Sequence, residues 1–190
     1  MINNAPIDMG GFTLTSDAPL GGRNTLRVNA RAKLLVEVRD PTKLPEILAY
    51  PAIRGGKVLV LGEGSNMLIG GDVDGTVLAM VNSGVETFQR DDRVLIRVAA
   101  GERWDDFVRW SLGQGYAGLE NLILIPGTVG ASPIQNIGAY GVEVAEFIDT
   151  VEAWDTHQGE FVVLDKAACA FSYRDSTFKQ QPGRWIVVAV

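Results

Sequence analysis

The order of strand-like and helix-like segments predicts an α+β fold with two layers of secondary structure. Apolar residues make up 46% and charged residues 21% of the 190 positions, so the chain can bury a proper core. The segments lack the regular alternation of strand and helix that predicts a doubly wound parallel sheet. No segment approaches the ~20 apolar residues of a transmembrane helix, so a membrane protein is not expected.

The first half of the chain predicts several strands and one short helix. Residues 1–22 are turn-rich and are expected to form an N-terminal extension. The segment "DPTKLPEILAY" predicts the helix, with Asp40 as its cap and Pro41 in its first turn. Apolar runs predict strands at 33–38, 57–62, 75–81 and 93–100.

The second half contains the strongest helix signal. In "GERWDDFVRWSLGQG", residues 101–115, the side chains of Trp104, Phe107, Val108 and Leu112 fall on one stripe. Asp105 and Asp106 suit the first turn of this helix, where the backbone dipole favours negative charge. Further strands are expected at 147–154, 160–164 and 185–190, with a short helix near 165–170.

Charge and rare residues exclude several classes of function. The net charge is −6 and the 17 basic residues are scattered, so no nucleic-acid partner is expected. His157 lies in a turn-like segment and Cys169 in a short helix, and each is the only residue of its type. We therefore expect no disulfide, no metal site and no Ser-His or Cys-His hydrolase. The single cysteine and the absence of a signal-peptide pattern favour the cytoplasm.

The first glycine-rich loop is "GEGSN", residues 62–66, which follows a predicted strand. The dinucleotide-binding fingerprint requires G-x-G-x-x-G at the start of a helix, and here two more glycine turns and a strand follow. Successive backbone N–H groups in such a turn can instead form a concave nest that binds an anion. A plain tight turn between two strands is the alternative interpretation.

The second loop is "ENLILIPGTVGASPIQNIGAYG", residues 120–141, in which only Glu120 is charged. Its prolines and glycines argue against a core strand, and its apolar residues against a flexible linker. The expected hydrogen-bond donors are the amides of Gly127, Thr128, Gly130, Ala131 and Ser132 and the side chains of Ser132 and Asn136. Two such loops suit one long ligand with a phosphate middle and flat apolar ends. The residues alone predict a nucleotide or flavin binder, and FAD matches this description.

Three segments resemble one enzyme family. The segments "LGEGSN", "GLENLILIPGTVGASPIQNIGAYG" and "FSYRDSTFK" are similar to those of the UDP-N-acetylenolpyruvoylglucosamine reductases. "NTLRV", residues 24–28, resembles another motif of that family, with Leu26 in place of an aromatic residue. The resemblance implies the FAD-binding fold of the vanillyl-alcohol oxidase and p-cresol methylhydroxylase (PCMH/VAO) group. It implies two FAD-binding subdomains, at 23–82 and 83–190, and a third, substrate-binding domain of the family that these residues do not include.

The same resemblance implies the residues of the site. Arg174 matches the catalytic arginine of the family and, with Tyr173, a substrate-binding position. Pairing of Arg174 with Asp175, or capping of a local turn, is the alternative interpretation. The implied cofactor-binding residues are Gly62, Glu63, Gly64, Ser65, Asn66, Pro126, Gly127, Thr128, Gly130, Ala131, Ser132, Ile134, Asn136, Ile137, Gly138, Tyr140 and Gly141.

The implied reaction is reduction of the enolpyruvyl group of UDP-N-acetylglucosamine enolpyruvate to UDP-N-acetylmuramate, in bacterial peptidoglycan synthesis. FAD is the implied cofactor and NADPH the co-substrate. We expect FAD to bind non-covalently, because His157 and Cys169 lie outside both loops. We also expect that this chain alone does not turn over the enolpyruvyl substrate, since the proton donor of the family lies in the third domain. The alternatives are a non-catalytic flavin or nucleotide-binding module and a structural domain whose glycines only turn the chain.

Overall fold

A computed structural model describes residues 5–91 and 93–190 of the chain. It divides into two compact units, of which the first ends at Asn82 and the second begins at Ser83. In the part described, no helix has both the length and the apolar character needed to cross a membrane.

Unit 1 is built on one five-stranded mixed sheet. Its elements are β1 (Ile7–Asp8), β2 (Phe12–Pro19), β3 (Arg31–Val38), α1 (Leu44–Ala49), β4 (Val58–Leu61) and β5 (Val73–Met80). The strand order is β1-β2-β3-β5-β4. The β1–β2 and β2–β3 pairs are antiparallel, whereas β5 is parallel to both of its neighbours. The core includes Leu20, Leu35, Leu61, Ile69 and Val77, all buried.

The predicted N-terminal extension is wrong for the described part of residues 1–22. Strand β2 pairs with β3 from Phe12↔Val38 to Pro19↔Arg31, so it belongs to the sheet. Its alternation of Phe12 and Leu14 with threonines fits a strand, because threonine is β-branched and packs well on a pleated surface. The first four residues of the predicted extension lie outside the described residues. The predicted strands at 33–38, 57–62 and 75–81 and the helix capped by Asp40 are confirmed.

Unit 2 contains three small sheets and three helices among its described elements. The elements are β6 (Val85–Arg90), β7 (Arg93–Val98), α2 (Trp104–Gly113), β8 (Gly138–Ala139), β9 (Val142–Glu143), β10 (Thr150–Asp155), β11 (Glu160–Asp165), α3 (Lys166–Cys169), α4 (Thr177–Gln180) and β12 (Trp185–Ala189). The three-stranded sheet has the order β11-β10-β12 and is antiparallel. The sequence did not predict β6 or α4, and β10 begins three residues later than expected.

Helix α2 confirms the predicted amphipathic stripe and holds the start of the second loop. Trp104, Phe107 and Val108 are buried, and the indole Nε1 of Trp104 donates to the carbonyl oxygen of Leu122 at 2.8 Å. The Asp105 carboxylate accepts from the backbone amide of Leu124 at 2.8 Å and from Arg109 at 2.8 Å. The pKa of Asp105 is lowered by these two bonds, with that from Arg109 the stronger. The first turn of α2 thus fixes residues 122–124.

Candidate functional site

The first glycine-rich loop follows β4 in unit 1 and is packed against the segment 23–28. Gly64 has φ +63°, and a Cβ atom there would lie 2.3 Å from the carbonyl oxygen of Arg23 and 2.9 Å from the Cα of Asn24. Asn24 is buried, and its amide donates to Leu20 and Val28 carbonyls and accepts from the Val28 amide. Glycine is therefore required at position 64 by the backbone of unit 1 itself.

The loop also offers backbone donors. Within residues 5–91 and 93–190, the amides of Gly64 and Asn66 find no hydrogen-bond acceptor. Backbone amides must be satisfied by protein, water or a ligand. Free amides in a turn whose middle residue has positive φ fit the anion nest predicted from the sequence.

We expect Gly64→Val to destabilise unit 1 by about 3 kcal/mol, because it adds a clash with backbone to a positive φ that valine avoids. The loop should also lose its capacity to bind FAD. Gly70→Val is the matched control, since a Cβ at Gly70 meets no atom within 4 Å. Urea denaturation measures the first effect and flavin fluorescence titration the second. A Gly64→Val chain with wild-type stability would contradict this account of the loop.

The second loop lies in unit 2, and several of its predicted donors are used inside that unit. The amide of Gly130 donates to Ala100 at 2.9 Å, that of Ala131 to Thr128 and that of Ser132 to Val129, each at 3.0 Å. The Ser132 hydroxyl also donates to Val129, at 2.7 Å. These groups therefore already have acceptors within unit 2, and contact of Gly130, Ala131 and Ser132 with a cofactor stays a prediction. The loop is buried irregular backbone, and such backbone recruits the nearest acceptors of its own unit.

Two of its glycines are required by close packing. A Cβ at Gly130 would lie 2.5 Å from the Cβ of Ala100, and one at Gly138 would lie 2.7 Å from the carbonyl oxygen of Val142. Among the described residues, the amide of Thr128 has no acceptor. It remains as a donor for a ligand at this loop.

Strained backbone is concentrated in and around the second loop. Leu124, Asn136, Tyr140 and Arg174 have φ values of +65°, +43°, +53° and +55°. Such conformations are costly for residues other than glycine, and they cluster at binding and catalytic sites. Leu124 and Tyr140 are also 69% and 89% exposed, so burial does not explain their conformations. This concentration marks the loop as the candidate site of unit 2.

Tyr173 and Arg174 form the tip of a tight turn. Ser172 and Asp175 exchange two backbone hydrogen bonds of 3.1 Å, which leaves these two residues between them. Arg174 is the third residue of this turn and has a positive φ. Glycine or asparagine normally occupies a turn position with positive φ. The guanidinium lies 5.6 Å from the Tyr173 ring centre, and Tyr173 is 80% exposed.

The guanidinium of Arg174 is directed at the second loop. Its Nη2 donates to the carbonyl oxygen of Gly138 at 2.6 Å, and its Nη1 to that of Asn136 at 3.4 Å. In the part of the chain described, no carboxylate pairs with Arg174, whereas Asp175 accepts from Ser176 and Gln180. The alternative in which Arg174 pairs with Asp175 is therefore wrong. An arginine without a carboxylate partner keeps donors for an anionic ligand.

A cavity of about 650 Å³ lies elsewhere in unit 2. It is lined by β6, β7 and α2 among others, with aromatic side chains that include Phe88, Trp104, Phe107, Tyr116 and Phe147. None of the predicted site residues lines it.

No group of three or more His, Cys, Asp or Glu residues that could hold a metal occurs in residues 5–91 and 93–190.

The fold and its two glycine-rich loops define a class of protein. Residues 32–165 match the family described as "FAD binding domain", and the chain belongs to that family. This range takes in both loops and parts of both units.

The sequence relatives of the chain share the name of one particular enzyme. The chain is 53% identical over 181 residues to the UDP-N-acetylenolpyruvoylglucosamine reductase of Xanthomonas euvesicatoria pv. vesicatoria, covering 95% of this chain and 52% of the relative. It is 50% identical over 180 residues to the enzyme of that name from Xylella fastidiosa (strain M12), covering 94% of this chain and 51% of the relative. The chain thus spans about half the length of the curated relatives it matches. The resemblance stated from the three motifs is confirmed.

Solved structures confirm the predicted fold. The UDP-N-acetylenolpyruvylglucosamine reductase of Thermus caldophilus superposes with a TM-score of 0.71 and 26% identity, covering 90% of this chain and 59% of that one. Aclacinomycin oxidoreductase superposes with a TM-score of 0.60 at 18% identity, covering 84% and 35% of the two chains, and that likeness concerns the fold alone.

Proposed function

We propose that this chain is the flavin-binding part of an FAD-containing, NADPH-dependent oxidoreductase. The proposed reaction reduces the enolpyruvyl group of UDP-N-acetylglucosamine enolpyruvate to UDP-N-acetylmuramate, for peptidoglycan synthesis and hence cell shape and division, in the bacterial cytoplasm. The names of the relatives support the reaction. The observation that carries it is Arg174, held at a strained turn against a glycine-rich loop and without a carboxylate partner among the described residues.

The residues present fit FAD. In unit 1, the free amides of Gly64 and Asn66 suit a phosphate, and the loop positions are Gly62, Glu63, Gly64, Ser65 and Asn66. In unit 2, an apolar and mostly uncharged loop suits flat, neutral parts of the cofactor. The positions proposed there are Pro126, Gly127, Thr128, Ile134, Ile137, Gly138, Tyr140 and Gly141. The ranges 23–82 and 83–190 are proposed as the two FAD-binding subdomains.

Arg174 has a defined chemical role in this proposal. When bound and reduced by NADPH, FAD would supply the hydride that is added to C3 of the enolpyruvyl group. That addition places negative charge on C2 and its adjacent carboxylate. A planar guanidinium can bind a carboxylate through two parallel hydrogen bonds and stabilises the species in which this charge grows. Tyr173, exposed beside Arg174, is proposed to contact the same substrate.

We expect FAD to be held without a covalent bond. Burial, with a smaller effect of Asp165, raises the pKa of the Cys169 thiol to about 11, so the thiolate nucleophile is absent at neutral pH. His157 is exposed in the turn between β10 and β11 and lies outside both loops. Acid precipitation should release all flavin into the supernatant. Colour retained in the washed pellet would contradict this expectation.

Anaerobic spectroscopy tests the proposed function. The purified chain should bind added FAD, and NADPH should bleach its visible absorbance. In a longer chain that also carries the part of the relatives that the match does not cover, the enolpyruvyl substrate should restore the absorbance. Bound FAD that NADPH does not reduce would favour the non-catalytic module. A chain that binds no FAD would favour a structural domain.

A further inference from the structure

Asn136 is the most fully bonded side chain of the second loop. It is completely buried, has φ +43°, and its amide group makes three hydrogen bonds. Nδ2 donates to the Glu143 carboxylate at 2.7 Å and to the carbonyl oxygen of Ser172 at 3.0 Å, while Oδ1 accepts from the amide of Ala145 at 3.0 Å. Every donor of this side chain therefore has a partner in the protein, and none remains for a flavin.

These bonds connect Asn136 to Arg174 from two directions. The Nδ2 bond to Ser172 fixes one end of the turn that carries Arg174. The backbone carbonyls of Asn136 and Gly138 accept from the two ends of the guanidinium. The far end of the turn is fixed by Ser176, whose hydroxyl donates to the carbonyl oxygen of Ile134 at 2.7 Å.

The partner of Asn136 is itself held rigidly. Glu143 caps the short helical turn Val144–Glu146, and its amide donates to the Glu146 carboxylate at 2.9 Å. The Glu143 carboxylate accepts from Asn136 at the same time. The Nδ2 group of Asn136 is thus held by the capped turn through Glu143, and it also donates to the backbone of Ser172.

We infer that Asn136 is a positioning residue that sets the direction of the Arg174 guanidinium, and that its side chain does not bind the cofactor. This inference rests on the proposed function of Arg174. Two-point binding of a carboxylate needs accurate placement, and a displacement of about 1 Å can cost on the order of 100-fold in rate. Loss of the Asn136 amide should therefore weaken catalysis through Arg174 alone.

A double-mutant cycle tests this coupling. Residues 1–190 are joined to the part of the Xanthomonas euvesicatoria relative that the match does not cover, loaded with FAD, and followed by stopped-flow absorbance. Asn136→Ala should slow reoxidation of the flavin by the enolpyruvyl substrate about 30-fold and leave reduction by NADPH unchanged. In an Arg174→Ala background, the same change should have an effect of less than about 2-fold. Equal effects in the two backgrounds would overturn the inference.

Two further variants separate the side chain from the backbone. Asn136→Gly accepts the positive φ but lacks the amide, so it should be as slow as Asn136→Ala. Wild-type rates in Asn136→Gly would show that only the backbone conformation matters and would overturn the inference. Asp155→Asn is the matched control, because it destabilises unit 2 through the Arg184 ion pair and should not change either rate of the folded protein.

NMR spectroscopy of the 190-residue chain tests the inference without a measurement of catalysis. It therefore separates the inference from the proposed function. Asn136→Asp keeps the size and the acceptor of the side chain but loses its donors to Ser172 and Glu143. In ¹⁵N–¹H spectra, the Arg174 side-chain signals should shift and exchange faster with water in this variant. Unchanged Arg174 signals would overturn the inference. Wild-type reoxidation in Arg174→Ala would instead defeat the proposed function, and the spectra would still decide whether Asn136 holds the guanidinium.

Discussion

Replacement of Arg174 by alanine is expected to slow the substrate-dependent reoxidation of FAD by at least ~100-fold, the usual scale for loss of one electrostatic stabiliser of a transition state. The NADPH half-reaction should remain nearly intact, because it requires only the cofactor and the nicotinamide. Arg174→Lys should recover little, since an ammonium group cannot reproduce the planar two-point contact with a carboxylate.

Stopped-flow absorbance of the flavin measures the two half-reactions separately in a chain that also includes the part of the relatives that the match does not cover. Arg54→Ala, at an exposed arginine of unit 1, is the control for loss of one positive charge. Equal slowing of both half-reactions, or wild-type reoxidation in Arg174→Lys, would assign Arg174 a structural role only.

Asp155→Asn is expected to cost about 2 kcal/mol of unfolding free energy, the scale for losing charge-assisted hydrogen bonds in a partly buried ion pair. The Asp155 side chain is completely buried, and its Oδ2 lies 2.6 Å from Nη2 of Arg184. Its Oδ1 also accepts from the amide of His157 at 2.9 Å. Asp74→Asn is the control, because the Lys33–Asp74 pair is 3.2 Å long but exposed and should contribute less than about 1 kcal/mol. Urea denaturation of both variants measures the difference.

The same residue gives a prediction for pH. Hydrogen bonds from Arg184, and then from backbone amides, hold the pKa of Asp155 at about 2 in the folded chain. The ordinary pKa of an aspartate is about 3.8, so the stabilisation is fully present above pH ~4 and is lost as the pH falls towards 2. Asp155→Asn should lack this part of the acid destabilisation. Parallel pH profiles for the variant and the wild-type chain would contradict the assignment.

The regular elements of the fold could be predicted because their causes are local. Helix α2 follows from the spacing of Trp104, Phe107 and Val108, and the turn into α1 from Asp40 and Pro41. Strand β2 was missed because its threonines and Pro19 read as turn residues, whereas pairing with β3 along the whole strand decides its structure.

The candidate site could be predicted only as a set of motifs. The sequence identified the loops and Arg174 but could not show that the Gly130, Ala131 and Ser132 amides donate within unit 2. Which acceptors those amides find depends on Ala100 and on the folding of the loop upon itself. The contact between Arg174 and Gly138 joins residues 36 positions apart, and no local pattern reports it.

That separation has a consequence for the order in which the protein folds. The hydrogen bond from Asn136 to Ser172 closes a segment that contains the β10–β11 hairpin, whose six residue pairs form across a short turn. Local pairs form before distant ones, because closing a longer segment costs more chain entropy. We therefore expect the hairpin to form before the turn of Arg174 reaches its loop, and the guanidinium to be placed late. The same closure should be among the first to open in native-state hydrogen exchange, with the amides of Ser172 and Asp175 exchanging before those of β10.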